Sequence, residues 1–262
     1  TNMLAAWGTE GLDRVDEIAI FVAGVDQTRM RDVEGFGTSY SIQTILEEAS
    51  KPAAFFTKGK MTFVPPMSGG LVQRFPRPIG AQAPHMTLHS EVATLPDSYR
   101  HQGVQEVSFR IAFDAETTAR LRFLHLLGLT SEVPVQVGDV EVRPMDLLLR
   151  LLRDAPKPQP AGPPKQVEVL RAQVTGRRGK ARAGYVAECH VTGMPRWGLG
   201  IDIDTGCPPS IAVQMLASGD ITARGVLPPE RAVPLQPLRA ALAQRGMRCS
   251  RRALAAAGRA RS

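Results

Sequence analysis

The chain has 262 residues, of which 43% are hydrophobic and 22% charged, enough for a packed globular core and too apolar for an intrinsically disordered segment. It has no apolar run of the roughly 18 residues that a bilayer span needs, and Cys189, Cys207 and Cys249 are too few and too scattered to suggest a disulfide framework or a zinc site. The formal charge of +7 is uneven: residues 1–160 carry 16 Lys and Arg against 19 Asp and Glu, and residues 161–262 carry 16 against 6, with aromatics at only 5% and none interleaved with the basic clusters, so no nucleic-acid partner is expected.

Thr1–Leu12 has the apolar spacing of a short helix and starts abruptly without an initiator Met, which suggests a segment cut from a longer protein. Asp16–Val25 is an apolar run of strand length, suited to cover on both faces. Asp26–Thr38 is polar and reads as a loop. Ile42, Ile45, Leu46 and Ala49 fall at i, i+3, i+4 and i+7, which predicts a helix over Ser39–Ser50 capped by Ser39 or Ser41 and stopped at Lys51-Pro52. Ala53–Thr57 and Lys60–Val64 flank Lys58-Gly59 as a hairpin.

Val107, Phe109, Ile111 and Phe113 alternate with polar or small residues, so Val104–Asp114 is expected to be a strand with one buried face. Thr117–Leu127 reads as a helix ended by Gly128, and Met145, Leu148, Leu149 and Leu152 make the stripe of another that begins at Pro144. Residues 154–164 hold five prolines and read as a loop or semi-rigid linker. Gln166–Thr175 and Gly184–Val191 read as strands around the basic turn Arg177–Arg182. Asp204–Ser218 and Leu235–Gln244 read as the last helices. The pattern predicts an α+β fold: a mixed, largely antiparallel sheet with helices on one face. Residues 1–203 are expected to form one domain and residues 204–262 a helical segment. No Gly-x-Gly-x-x-Gly follows a strand, so the chain alone is expected to hold no dinucleotide. No metal site is expected.

Further assignment comes from resemblance. Thr205-Gly206-Cys207-Pro208-Pro209, the apolar helix to Gly219, Gly225-Val226, Pro229-Glu230 and Leu238–Gly246 together resemble the C-terminal end of bacterial saccharopine dehydrogenase-like proteins. Tyr40-Ser41, Ile45–Glu48 and Lys51–Ala53 are similar to a second block of that family, and Thr87–Pro96 to its His-Ser-Glu segment. The resemblance implies a second domain like that of glyceraldehyde-3-phosphate dehydrogenase-like oxidoreductases, with the nucleotide-binding domain lying before Thr1 and residues 204–262 packing back on it. It further implies an NAD(P)-dependent reaction at an amino-acid C–N bond in the whole protein, with no cofactor on this portion. A homodimer, a small amino-acid-like substrate, a cytoplasmic setting and no membrane partner complete the expectation.

The same resemblance nominates Tyr40, Ser41, Gln43, His89, Ser90, Glu91 and Thr94 as substrate-binding residues, with no residue assigned as catalytic. His89 reads as a polar cleft group or as a structural histidine. Glu91 reads as a partner for a substrate ammonium or as a helix-start carboxylate. Gln43 stands where fungal and animal relatives carry an Arg, and a neutral amide cannot make the charged fork that clamps a carboxylate. A module that kept the fold without the chemistry is the competing reading. The apolar face of Val107, Phe109, Ile111 and Phe113 is the expected route to a dimer.

Overall fold

A computed structural model describes residues 1–32 and 40–254. Ser39, residues 33–38 of the predicted Asp26–Thr38 loop and the Arg/Ala-rich residues after 254 lie outside the described residues.

Eight strands form the main sheet: β1 (Arg14–Asp26), β2 (Ala53–Thr57), β3 (Lys60–Val64), β4 (His85–Met86), β5 (Glu106–Ala112), β6 (Gln166–Arg178), β7 (Ala181–Val191) and β8 (Met247–Ala253). Their order across the sheet is β8-β7-β6-β1-β5-β2-β3, with β4 also bonded to β5. β1 and β5 run parallel, and the other pairings are antiparallel. The sheet is thus mixed and largely antiparallel, as the alternation of strand and turn signals predicts. The helices are α1 (Asn2–Thr9), α2 (Ile42–Ser50), α3 (Glu91–Ser98), α4 (Ala115–Leu126), α5 (Pro144–Asp154), α6 (Ile203–Ser218), α7 (Pro229–Ala232) and α8 (Leu235–Ala243).

β1 is apolar on alternate sides, and both sides are covered. Ile18, Ile20 and Val22 share one core with Leu4 and Trp7 of α1, Val92 and Leu95 of α3, Ile211 of α6 and Leu238 of α8. Ala19, Phe21 and Ala23 face the other way, against Phe75, Ile79 and Val169. On that second side Arg171 of β6 forms a buried ion pair with Glu188 of β7 at 2.6 Å, and its guanidinium lies 4.4 Å from the centre of the Phe75 ring. A buried ion pair holds when both charges are answered, and Arg171 also donates to the Arg74 carbonyl at 3.1 Å. A third core joins Leu46 and Ala49 of α2 to Leu121 of α4 and to Met145 and Leu148 of α5. These are the stripes legible in the sequence.

Three differences have physical causes. Two side chains of the face expected to seek a partner subunit are covered within the chain: Val107 is 0% and Phe109 2% exposed, in the core shared with α3, while Ile111 and Phe113 are half-buried. Residues 247–253 form edge strand β8 where the sequence suggests only a basic tail, so residues 204–262 carry a strand of the main sheet as well as helices. Arg251 lays its guanidinium 3.6 Å from the centre of the Tyr185 ring, which lets a strand rich in Arg pack against β7. Gln159 and Pro160, within the proline-rich stretch, pair with Asp32 and Met30. Cys189 and Cys249 are register partners across β7 and β8, both as free thiols.

Gly176 pairs with Val15 where the β1–β6 register shifts. A Cβ there would lie 2.0 Å from the Arg14 carbonyl oxygen, and backbone cannot swing aside as a side-chain tip can. Gly176→Ala is expected to lower stability by about 2 kcal/mol or more, roughly 5 °C in melting temperature. Gly162, whose added Cβ meets nothing within 4 Å, is the control, and its Ala variant should change stability by less than about 0.5 kcal/mol. Equal melting temperatures for the two variants would contradict the close approach.

Candidate functional site

The site is assembled where α2 ends, the β2–β3 hairpin turns and α3 begins. Ser41 caps α2, its hydroxyl accepting from the Thr44 N–H at 3.3 Å, and Pro52 follows the helix and turns the chain into β2. The Leu88 N–H donates to the Glu48 carbonyl at 3.2 Å, which lays residues 87–90 alongside the last turn of α2. α3 then starts at Glu91.

His89 is the centre of the arrangement. Its ring stacks on Phe109 of β5, with centroids 3.7 Å apart and planes 6° from parallel. Nδ1 meets the Glu91 carboxylate, and Nε2 lies 3.8 Å from Glu48 Oε1. Glu91 is only 6% exposed. Its Oε1 accepts from the Thr1 hydroxyl, and the Ser90 hydroxyl donates at 3.4 Å to Oε2, the oxygen that meets His89. Burial pushes the Glu91 carboxyl up, but the hydrogen bond and charge of His89, the charge of the Thr1 ammonium and the Thr1 hydroxyl outweigh it and bring the pKa from 4.5 down to about 2. Glu48 goes the other way. Burial raises its carboxyl above the usual range, and the charges of Glu91 and Glu47 add to that while His89 opposes it. The Tyr40 phenol is also raised, by burial first and then by Glu48, Asp204 and Glu91.

A cleft of about 520 Å³ opens over these groups, lined by Tyr40, Glu48, Ala54, Met61, Phe63, Leu88, His89, Ser90 and Ala93. The lining combines polar side chains (Tyr40, Glu48, His89, Ser90) with apolar ones (Ala54, Met61, Phe63, Leu88, Ala93). Met61 and Phe63 on edge strand β3 are 42% and 65% exposed, and they supply much of the apolar side.

Of the residues nominated from the sequence, Tyr40, His89 and Ser90 converge on this cleft. Glu91 stands behind His89, closed off from the opening, so it is not placed to hold a substrate ammonium directly. Ser41 is a helix cap. Gln43 is exposed on α2 and donates to Glu47 at 2.9 Å. Thr94 accepts from the Asn2 amide at 3.1 Å and braces α1 against α3. Glu48, Met61 and Phe63 are cleft residues that sequence reasoning missed. The signals for Glu48 are its place one residue from the helix stripe and its position in the Ile45–Glu48 block, and Met61 and Phe63 have only their place in the hairpin strand.

No group of three or more potential ligands placed to hold a metal is found among the described residues. The residues suit a dinucleotide poorly. Ser68-Gly69-Gly70 leads toward a two-residue strand at Gln73–Arg74 rather than a helix, and a Cβ at Gly70 would lie 3.0 Å from the His85 ring. At the start of α6, Asp202 and Asp204 act with burial to push the Glu168 carboxyl well up, a field that repels phosphate. No helix among the described residues is long and apolar enough to cross a membrane.

A family model described as the saccharopine dehydrogenase C-terminal domain matches residues 1–247. Among solved structures, the fold is similar to that of apo histidine-tagged saccharopine dehydrogenase (L-Glu forming) from Saccharomyces cerevisiae. The TM-score is 0.63 and the sequence identity 14%, over 92% of this chain and 68% of that one, a likeness of fold.

The depressed pKa of Glu91 fixes a pH dependence. Because its folded value lies below the ordinary 4.5, its stabilisation is present above pH 4.5 and is lost as pH falls toward about 2. The amount is on the order of 2–3 kcal/mol. Urea unfolding followed from pH 6 to pH 2 should show stability falling more steeply in the wild type than in Glu91→Gln, and parallel curves would contradict the buried, ionised carboxylate.

Proposed function

This chain belongs to the saccharopine dehydrogenase C-terminal domain family, and from that premise we propose that it forms the substrate side of a saccharopine dehydrogenase-like, NAD(P)-dependent oxidoreductase acting at an amino-acid C–N bond. The observation that carries the reading is the convergence of Tyr40, Glu48, His89 and Ser90 on one cleft whose lining also includes apolar Met61, Phe63 and Leu88. An amino-acid adduct has ammonium and carboxylate groups on aliphatic carbons, and such a cleft meets both parts of it. On this reading the nicotinamide nucleotide is held by residues outside these 262 and reaches the cleft from there, and the domain takes the place that the second domain occupies in glyceraldehyde-3-phosphate dehydrogenase-like enzymes.

Two experiments test the proposal. The 262-residue chain titrated into NADPH should give no saturable fluorescence change, and micromolar binding would count against a separate nucleotide-binding part. In the polypeptide that includes the nucleotide-binding part, His89→Ala and Glu48→Ala should each lower kcat/KM by about tenfold or more, the loss of one charge-assisted hydrogen bond. The melting temperature should stay within about 2 °C of the wild type for Glu48→Ala and should fall for His89→Ala, which also takes the main partner from the buried Glu91 carboxylate. Normal turnover with a lowered melting temperature would mean that both residues only brace the fold.

A further inference from the structure

We propose that Glu91 is a positioning residue for this cleft: it holds His89 with its hydrogen on Nδ1, so that Nε2 and the Glu48 carboxylate together form a receptor for an aliphatic ammonium group. The inference rests on the reading of the cleft as a substrate site.

The geometry points there in three steps. Glu91 is buried and meets Nδ1 directly. An ionised carboxylate only accepts hydrogen bonds, so the hydrogen between them belongs to the ring nitrogen. The stack on Phe109 holds the ring plane, and a half-turn of the ring would set a carbon against Glu91 in place of Nδ1. In the neutral ring Nε2 then faces the cleft as an acceptor. Its distance of 3.8 Å from Glu48 Oε1 is too long for a good direct hydrogen bond. A nitrogen placed between them can sit about 2.9 Å from each and donate to both. Two acceptors, one of them anionic, select a donor with positive charge. The Ser90 and Tyr40 hydroxyls stand at the same cleft, and Met61 and Phe63 offer apolar surface to the attached carbon chain. The ligand class is an alkylammonium, as borne by amino-acid substrates.

The test is nitrogen-15 NMR of the histidine side chains in the 262-residue chain, with n-butylammonium and its neutral counterpart butan-1-ol as probes. His89 in the wild type should show hydrogen on Nδ1 and a bare Nε2. Butylammonium should shift the Nε2 resonance saturably, and butan-1-ol should not. Glu48→Gln should weaken butylammonium binding by about tenfold and leave the hydrogen on Nδ1. Glu91→Leu should move the hydrogen to Nε2 and weaken binding similarly, a change that loss of packing alone would not produce. The wild-type measurement needs no variant, so it stands even if Glu91→Leu fails to fold. Hydrogen on Nε2 in the wild type, or equal binding of the alcohol, overturns the inference. Saturable shifts at His89 and Tyr40 with saccharopine but none with butylammonium would overturn it too, and would leave the wider reading of the cleft standing.

Discussion

A strand that is apolar on both faces cannot lie on a surface, and β1 is such a strand. Its two sets of side chains have to be covered from opposite directions, and the rest of the fold arranges that cover. On one side lie α1, α3, α6 and α8. On the other lie Phe75 and Ile79 with the Arg171–Glu188 pair. β1 also makes the one parallel pairing of the main sheet among the described residues, with β5, in a register that sets Ile20 beside Phe109. Phe109 is where the core and the site join, because its ring is the platform on which His89 lies.

From that platform the site follows by charge. Two carboxylates flank one imidazole, and the protein treats them differently. Glu91 is buried and tied to hydrogen-bond donors, which keeps it ionised. Glu48 faces the cleft among other acids and is pushed the opposite way. Separating two carboxyl groups in this manner is how a protein gives chemically equal residues different tasks. One task is to hold the histidine and the other is to meet what enters the cleft.

Much of the fold was legible in the sequence where local signals were strong. The Lys58-Gly59 hairpin, the Ser41 cap and the apolar run of β1 each depend on residues close in the chain. β8 was not legible, because Met247–Ala253 carries three Arg and becomes a strand only through pairing with β7 and through the cover that Arg251 gives Tyr185. Of α3 only a possible start at Glu91 was legible, since Pro96 falls inside it. In the site, the His-Ser-Glu segment was found, but which of its side chains faces the opening depends on how the ring sits on Phe109, a contact between residues 20 apart in sequence. Gln43 and Thr94 were nominated by their position in matching blocks, and position says nothing of which way a helix turns its faces.

The central claim is that the cleft between α2, the β2–β3 hairpin and the His89 segment receives the substrate. The most direct test is a crystal structure of the chain soaked with saccharopine. The account predicts the ligand against Glu48 and His89 with its carbon chain along Met61 and Phe63. Ligand seated instead in the second hollow of about 280 Å³, beside Pro208 and Leu238, with the first cleft empty, would contradict it.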